Sequence, residues 1–306
     1  MYRSSRFPEC GVFSGVFSRS RRESPPKRCL VMVQEVDLNS RGAPATASVD
    51  SSGLRPCGLC KKLGVLQESH LLPAWCYRRI IEDCGDAQHV QVTKNSAVLS
   101  NDQVQQFLLC RDCEERFAKI EDKVERLTRR RNGKQIIFQR LTCVGGPSGK
   151  LYELDAETAG ILSYFAVSVI WRAHAMGRGC ELGPYEVKFR RYLLGEDCFT
   201  DGAVLAVMVL EPTDLEVDPK GWLSHPASAR VDGFRLHGFI VCGLVFRLFV
   251  GRGIPVELKT GCLAKTTGPR YIHVRPWHEC RDVWGAMELL RHTTPRGKLA
   301  RRQTAS

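Results

Sequence analysis

Two pairs of cysteines are the residues of this sequence whose spacing most clearly suggests chemistry. Each pair has two intervening residues: Cys57 precedes Cys60, and Cys110 precedes Cys113. This spacing lets both thiolates of a pair face one ion across a tight turn, and four such sulfurs complete a tetrahedral site. We therefore expect these four cysteines to bind a structural zinc ion.

The residues around the two pairs favour zinc over the other common use of this spacing. Pro56 and Gly58 suit a turn at the first pair, and the apolar run 107–109 predicts a strand that leads through the second pair into a helix. The alternative is a redox pair of the thioredoxin type, which opens a helix within a βαβ unit. Only the second pair opens a predicted helix, and no βαβ pattern surrounds it, so zinc is the better interpretation.

A histidine motif lies between the two pairs. Ser69, His70 and Pro73 belong to the sequence Ser-His-Leu-Leu-Pro. Together with the cysteine pairs, this motif resembles the HNH endonuclease family, in particular its variants that read Cys-x-x-Cys, Ser-His-x-x-Pro and Cys-x-x-Cys-Glu. The resemblance covers residues 57–131 and implies a zinc module of the treble-clef type with the ββα-metal fold.

The resemblance also implies roles for individual residues. His70 would be the general base that deprotonates the attacking water, and Glu114 would be a carboxylate ligand of a catalytic Mg²⁺ or Mn²⁺, with Glu121 in reserve. The family usually has a metal-binding side chain at the position of Ser69, and Asn101 is the nearest candidate for its middle asparagine. The implied function is a metal-dependent endonuclease that hydrolyses nucleic-acid phosphodiesters, with DNA as the expected substrate.

A second interpretation explains the same residues without catalysis. In it, a zinc-stabilised module binds nucleic acid or a protein partner after its catalytic positions have decayed, and Ser69 and Glu114 are what remains of them. His70 would then be a capping or core histidine beside the zinc site. The sequence leaves both interpretations open.

Positive charge is concentrated at the two ends of the chain. The net charge is +12, and residues 1–30 and 291–306 carry most of it. This distribution predicts tails that are tethered electrostatically to phosphate, although tails that serve only solubility would have the same composition. Arg129, Arg130 and Arg131, at the end of the predicted second-pair helix, are candidates for phosphate contact or for interaction with the helix dipole.

The composition describes an ordinary globular protein. Hydrophobic residues make up 43% and charged residues 25% of the chain. No apolar run reaches the roughly 18 residues of a membrane span, so we expect no membrane partner. The scattered cysteines Cys143, Cys180, Cys198 and Cys242 suit a reducing compartment better than a disulfide framework, which predicts a cytoplasmic location.

The elements that must position these residues divide the chain into four parts. Composition and turn residues predict a disordered basic leader over 1–50, the HNH-like zinc module over 51–132, an accessory α+β domain over 133–292 and a disordered basic tail over 293–306. Met32 is an alternative start of the chain. We expect the accessory domain to position or restrain the zinc module, or to bind a protein partner.

Hydrophobic periodicity predicts the secondary structure of the two folded parts. Predicted helices cover 74–84, 114–127, 155–176, 187–194 and 283–290, and predicted strands cover 107–109, 135–142, 203–210 and two segments of 234–250, with a short hairpin and loop within 86–106. The predicted fold is therefore α+β: the zinc module, then helices, then an antiparallel sheet. The second part contains no phosphate loop, nucleotide fingerprint or nucleophile elbow.

Overall fold

The structure, a computed structural model, describes residues 30–32, 53–84, 89–92, 96–131, 134–145, 150–211, 221–231, 233–280 and 293–304. Its strands are β1 (Leu30–Met32), β2 (Arg55–Pro56), β3 (Leu63–Gly64), β4 (Leu66–His70), β5 (His89–Val92), β6 (Ser96–Ser100), β7 (Gln105–Cys110), β8 (Arg130–Arg131), β9 (Lys134–Gln135), β10 (Leu141–Cys143), β11 (Lys150–Leu154), β12 (Ala203–Glu211), β13 (Trp222–Ser224), β14 (Ala227–Val231), β15 (Phe234–Val241), β16 (Leu244–Gly251), β17 (Arg270–Pro276) and β18 (Thr294–Pro295). Its helices are α1 (Ala74–Cys84), α2 (Arg111–Thr128), α3 (Ala156–Ala175), α4 (Glu186–Leu194), α5 (Val256–Thr260) and α6 (Lys298–Thr304), with short 3₁₀ helices at Ile136–Arg140, Gly183–Tyr185 and Trp277–Glu279. None of the helices in these ranges is long and apolar enough to cross a membrane.

Among the described strands, twelve form one mixed sheet. Its order is β10–β11–β17–β12–β16–β15–β13–β1–β5–β6–β18, and β14 pairs with β15 beside this path. Strands β12, β16 and β15 are antiparallel neighbours, whereas β12 and β17 are parallel, as are β13, β1 and β5. The α+β class is confirmed, but the sheet is mixed and not antiparallel throughout. Its parallel pairs join strands that are far apart in the chain, a pairing that hydrophobic periodicity cannot reveal.

Most of the predicted elements are present, because their signals are local. Asp155 begins α3 as predicted, and its side chain accepts a hydrogen bond of 2.8 Å from a backbone N–H in the first turn. Helix α4 ends at Gly195, whose φ of 77° is left-handed. Helix α2 begins at Arg111 and not at Glu114, so Cys113 lies in its first turn. The hairpin expected within 86–106 is the antiparallel pair β5–β6.

One predicted strand is largely a 3₁₀ helix. The sequence predicts a strand over 135–142, whereas the structure has a 3₁₀ helix at Ile136–Arg140 between the short strands β9 and β10. Ile137 is buried where this turn packs beside α2. A short apolar run fits either conformation, and packing against a neighbouring element decides between them. The helix predicted over 283–290 lies outside the described residues.

The described parts of the two segments predicted to be disordered form regular elements, and the rest of the leader lies outside the described residues. Residues Leu30–Met32 form β1 between β13 and β5. Thr294–Pro295 pair with β6, and α6 buries Leu299 against the β5–β6 hairpin. Composition reports the charge of such a segment, whereas its order depends on a sheet edge supplied by residues far away in sequence.

One hydrophobic core joins the predicted zinc module to the predicted accessory domain. Phe117 of α2 packs edge-on against Trp171 of α3, with 6.3 Å between the ring centroids. On its other side α3 contacts the sheet, where the rings of Phe165 and Phe246 lie 5.6 Å apart. All four side chains belong to the same buried cluster. The boundary predicted near 132 therefore crosses a continuous core.

Candidate metal centre and histidine site

The first cysteine pair lies in a turn that packs closely on strand β7. The turn joins β2 to β3, and the backbone N–H of Cys57 donates to the carbonyl oxygen of Lys62 at 2.9 Å. The N–H of Gly58 donates to the carbonyl oxygen of Leu108 at 2.8 Å. A Cβ at this glycine would lie 2.7 Å from the Leu108 side chain and 3.2 Å from the Leu108 carbonyl oxygen, so the close approach of the turn to β7 favours glycine here.

The second cysteine pair lies where β7 leads into α2, and this junction brings all four sulfurs together. The Sγ atoms of Cys57, Cys60, Cys110 and Cys113 lie within 4.8 Å of one another. Two of them, on Cys60 and Cys110, are 3.8 Å apart, and a tetrahedral zinc–thiolate site with bonds of about 2.3 Å requires sulfurs about 3.8 Å apart. These cysteines could therefore bind a metal ion such as zinc. No other group of three or more metal-binding side chains converges in the part of the chain that the structure describes.

Hydrogen bonds among the thiols favour a thiolate at Cys57. The Cys113 thiol donates to its sulfur, which together with the backbone N–H of Cys110, 3.3 Å away, lowers the pKa of Cys57 to about 4 against the opposing effect of burial. The same hydrogen bond and burial raise the pKa of Cys113. A metal that binds all four sulfurs must therefore displace thiol protons from the site.

His70, the predicted base, ends strand β4 opposite Gln105 of β7. The Gln105 amide nitrogen donates to His70 Nε2 at 2.6 Å, so this ring nitrogen is the unprotonated acceptor. Burial, and then the positive charge of Arg172, lower the pKa of His70, while Glu121 and Glu68 act in the opposite direction. The half-buried imidazole is therefore neutral near pH 7, as a general base must be.

Glu114, the predicted ligand of a catalytic ion, pairs with Ser69 and not with His70. The hydroxyl of Ser69, which is fully buried, donates to Glu114 Oε2 at 2.9 Å. Burial raises the pKa of the Glu114 carboxyl, and the Ser69 hydrogen bond and Arg172 oppose this shift. Neighbouring residues of a strand point to opposite faces, which separates Ser69 from the His70 ring. The structure thus brings together Ser69 and Glu114, the two positions at which the resemblance implies metal ligands. The ring of His70, the predicted base, points to the other face of the strand.

Two residues that the sequence analysis missed contact His70. Gln105 contacts its ring. Asn101, the nearest candidate for the middle asparagine of the family, is exposed in the loop before β7. Arg172 of α3 donates through Nη1 to the carbonyl oxygen of His70 at 2.8 Å and through Nη2 to Glu121 Oε1 at 2.6 Å. Only one feature of the sequence could have indicated this role: Arg172 is a single arginine within the otherwise apolar stretch of α3.

The three arginines predicted to contact phosphate lie together at the end of α2. Arg129 follows the last residue of the helix, and its guanidinium is 2.9 Å from Glu125 Oε1. Arg130 and Arg131 form β8, which pairs antiparallel with Lys134 and Gln135 of β9. All three arginines and Lys134 are exposed. We refer to Arg129, Arg130, Arg131 and Lys134 as the cationic segment.

Comparisons with known proteins do not assign the chain to a family. No family model matches the sequence, and no curated protein and no solved structure is significantly similar to the chain. The likeness to HNH endonucleases therefore rests on the motif residues themselves, and the function of the chain has to be inferred from the geometry of the cysteine cluster, the His70 site and the cationic segment.

Proposed function

We propose that this chain is a nucleic-acid-binding protein built on a zinc-stabilised, HNH-like module of the treble-clef type. The observation that carries the proposal is the convergence of four cysteine sulfurs at the start of α2, the helix whose other end bears the cationic segment. Zinc held by Cys57, Cys60, Cys110 and Cys113 would be structural, because four protein ligands leave no open position for a substrate. The ion would fix the start of α2 against the turn between β2 and β3.

The cationic segment is the surface that we propose for the phosphates. Its four side chains are exposed at the end of α2 and on the paired strands β8 and β9, and the ion-pair partner found for Arg129 is Glu125 of the preceding turn. Arginine suits this role because its planar guanidinium binds phosphate oxygens through two parallel hydrogen bonds. Contacts of this kind position a protein on nucleic acid without reading sequence, so we expect binding with little sequence preference.

Salt-dependent binding tests this surface. Binding of the full chain to labelled DNA and RNA is measured by fluorescence anisotropy over a range of salt concentrations, for the wild type and for the double variant Arg130→Gln, Arg131→Gln. Each lost phosphate contact reduces the slope of log K against log [salt] by about 0.9 on duplex DNA, so the double variant should lose about 2.

The matched control is Arg230→Gln, Arg252→Gln, which removes two other exposed arginines. It should keep the wild-type slope. A wild type that binds neither nucleic acid would refute the proposed function, and equal slopes for the two double variants would refute the proposed surface.

A metal-dependent endonuclease is the second candidate, and the His70 site favours it in one respect. The imidazole is neutral and half-buried, and its residue follows Ser69, whose pair with Glu114 occupies the positions where the family has metal ligands. A catalytic Mg²⁺ or Mn²⁺ fits these residues poorly, because such an ion needs several oxygen ligands and water, whereas Ser69 is fully buried and no third acidic or histidine ligand converges within the described residues. We therefore derive no catalytic step through a divalent ion.

Cleavage assays discriminate between the two functions. Supercoiled plasmid and a structured RNA are incubated with the chain in Mg²⁺ or Mn²⁺, with His70→Ala and His273→Ala in parallel. His273 is an exposed histidine on β17 and serves as the matched control. Cleavage that disappears in His70→Ala and persists in His273→Ala would support the nuclease. A wild type that binds nucleic acid but leaves it intact supports the binding module.

A further inference from the structure

Arg172 is a fully buried arginine next to the predicted catalytic histidine. Its side chain is 1% exposed, and among the described residues no lysine, aspartate or glutamate is buried to this degree. Arginine keeps its proton even in such surroundings, so the side chain places a permanent positive charge in the core. A buried charge of this kind requires partners on every side.

The partners of Arg172 come from three different elements. Nη1 donates to the carbonyl oxygen of His70, and Nη2 to the carboxylate of Glu121 on α2. Nε donates to the carbonyl oxygen of Ser168 on α3 at 3.3 Å, and the guanidinium carbon lies 5.3 Å from the ring centroid of Phe117. One side chain of the predicted accessory domain thus holds the end of β4 and the middle of α2 together.

The site around Arg172 is the one where the HNH-like resemblance implies a divalent cation. The guanidinium donates to the main-chain carbonyl of His70, the predicted base, and to Glu121 of α2, the helix that also carries the predicted ligand Glu114. Glu121, the other carboxylate considered for the ion, already forms an ion pair with it at 2.6 Å. A second cation in the same low-dielectric space would be repelled by the guanidinium and would find one carboxylate neutralised.

We infer that the guanidinium of Arg172 takes the place of a divalent ion at the His70 site and positions the end of strand β4. The site therefore carries its own cation and does not bind Mg²⁺ or Mn²⁺. Arg172 is a positioning residue, because it reaches His70 through the main chain and is shielded from solvent. The inference depends on the proposed HNH-like module in one respect: the resemblance indicates where a divalent ion would bind.

Mn²⁺ uptake tests the inference without any need for nucleic acid or activity. The zinc-loaded full chain is mixed with one equivalent of Mn²⁺, and the electron paramagnetic resonance signal of the free ion is recorded. The wild type should leave that signal unchanged. Arg172→Ala should take up Mn²⁺, because it opens space beside a carboxylate that has lost its partner, and the further change Glu121→Gln should abolish this uptake. The cysteine site does not confuse the result, since thiolates select zinc over Mn²⁺.

Any of the following results would overturn the inference. One is stoichiometric Mn²⁺ uptake by the wild type that Glu114→Gln or Glu121→Gln abolishes. Another is a folded Arg172→Ala variant that takes up no more Mn²⁺ than the wild type, since a purely structural arginine leaves ion binding unchanged. If Arg172→Ala does not fold, the wild type and Arg172→Lys decide: neither should bind the ion, and uptake by either refutes the idea. Failure to bind nucleic acid would refute the proposed function and leave this measurement intact.

Discussion

The buried pair of Arg172 and Glu121 allows a quantitative prediction about stability. The two side chains are 1% and 15% exposed and lie 2.6 Å apart. Arg172→Met keeps much of the volume but leaves the Glu121 carboxylate without its partner and the His70 carbonyl without its donor. Loss of one member of a buried ion pair lowers the free energy of unfolding by about 3–5 kcal/mol. Glu121→Leu should lower it by a similar amount, because it leaves the guanidinium buried without a counter-charge.

The double variant Arg172→Met, Glu121→Leu should be more stable than either single variant. It contains neither unpaired charge, so the remaining loss is the unsatisfied carbonyl of His70, about 1–3 kcal/mol. Additive single effects would instead give a loss of about 6–10 kcal/mol by the same ion-pair rule. The difference between these values is the coupling energy of the pair.

Urea unfolding at saturating zinc, followed by tryptophan fluorescence, measures the four free energies of this cycle. Lys123→Met is the matched control, because its ion pair with Glu157 spans 4.0 Å and both side chains are largely exposed. The control should change stability by less than about 1 kcal/mol. Additive losses in the double variant, or an Arg172→Met variant as stable as the control, would refute the idea that this pair holds α2, α3 and β4 together.

Three further predictions concern the metal centre and a buried histidine. Cys113→Ser should abolish stoichiometric zinc in metal analysis and unfold the module, because metal binding and folding are coupled in small zinc sites; zinc retained at one equivalent would contradict this. Gly58→Ala should destabilise the chain by about 1–3 kcal/mol, because its new methyl would lie 2.7 Å from the Leu108 side chain. The control is Gly64→Ala, which should change the melting temperature little because its methyl would lie 3.8 Å from the nearest atom. The pKa of His225 is lowered to about 4, chiefly by burial. As the pH drops from about 6.5 towards 4, this histidine becomes protonated in the unfolded chain before it does so in the folded chain. The free energy of unfolding should therefore fall over this range, by about 2 kcal/mol at pH 5. His237, whose pKa burial also lowers to about 4, contributes over the same pH range, so His225→Gln should make that part of the unfolding profile less steep, and an unchanged slope would contradict the assignment.

The sequence alone determined the features that depend on local interactions. The spacing of Cys57 and Cys60 needs only one tight turn to bring two sulfurs to the same side, and Gly58 within it serves that turn. The N-cap at Asp155 and the left-handed residue Gly195 act within one turn of their helices. Such signals involve residues a few positions apart, so they act in the same way whatever the rest of the chain does.

Tertiary structure decided which distant residues meet. The parallel pairs of the large sheet, and the packing of Leu299 against the β5–β6 hairpin, depend on sheet edges built by residues far apart in the chain. The same holds at the candidate site: Glu114 pairs with Ser69, 45 residues away, and Arg172 reaches His70 across 102 residues. Hydrophobic periodicity shows which face of an element is buried, but not which charged group will need a partner once that face is covered. For this reason the cluster of four cysteines could be predicted from their spacing, whereas the buried guanidinium beside His70 became visible only in the folded chain.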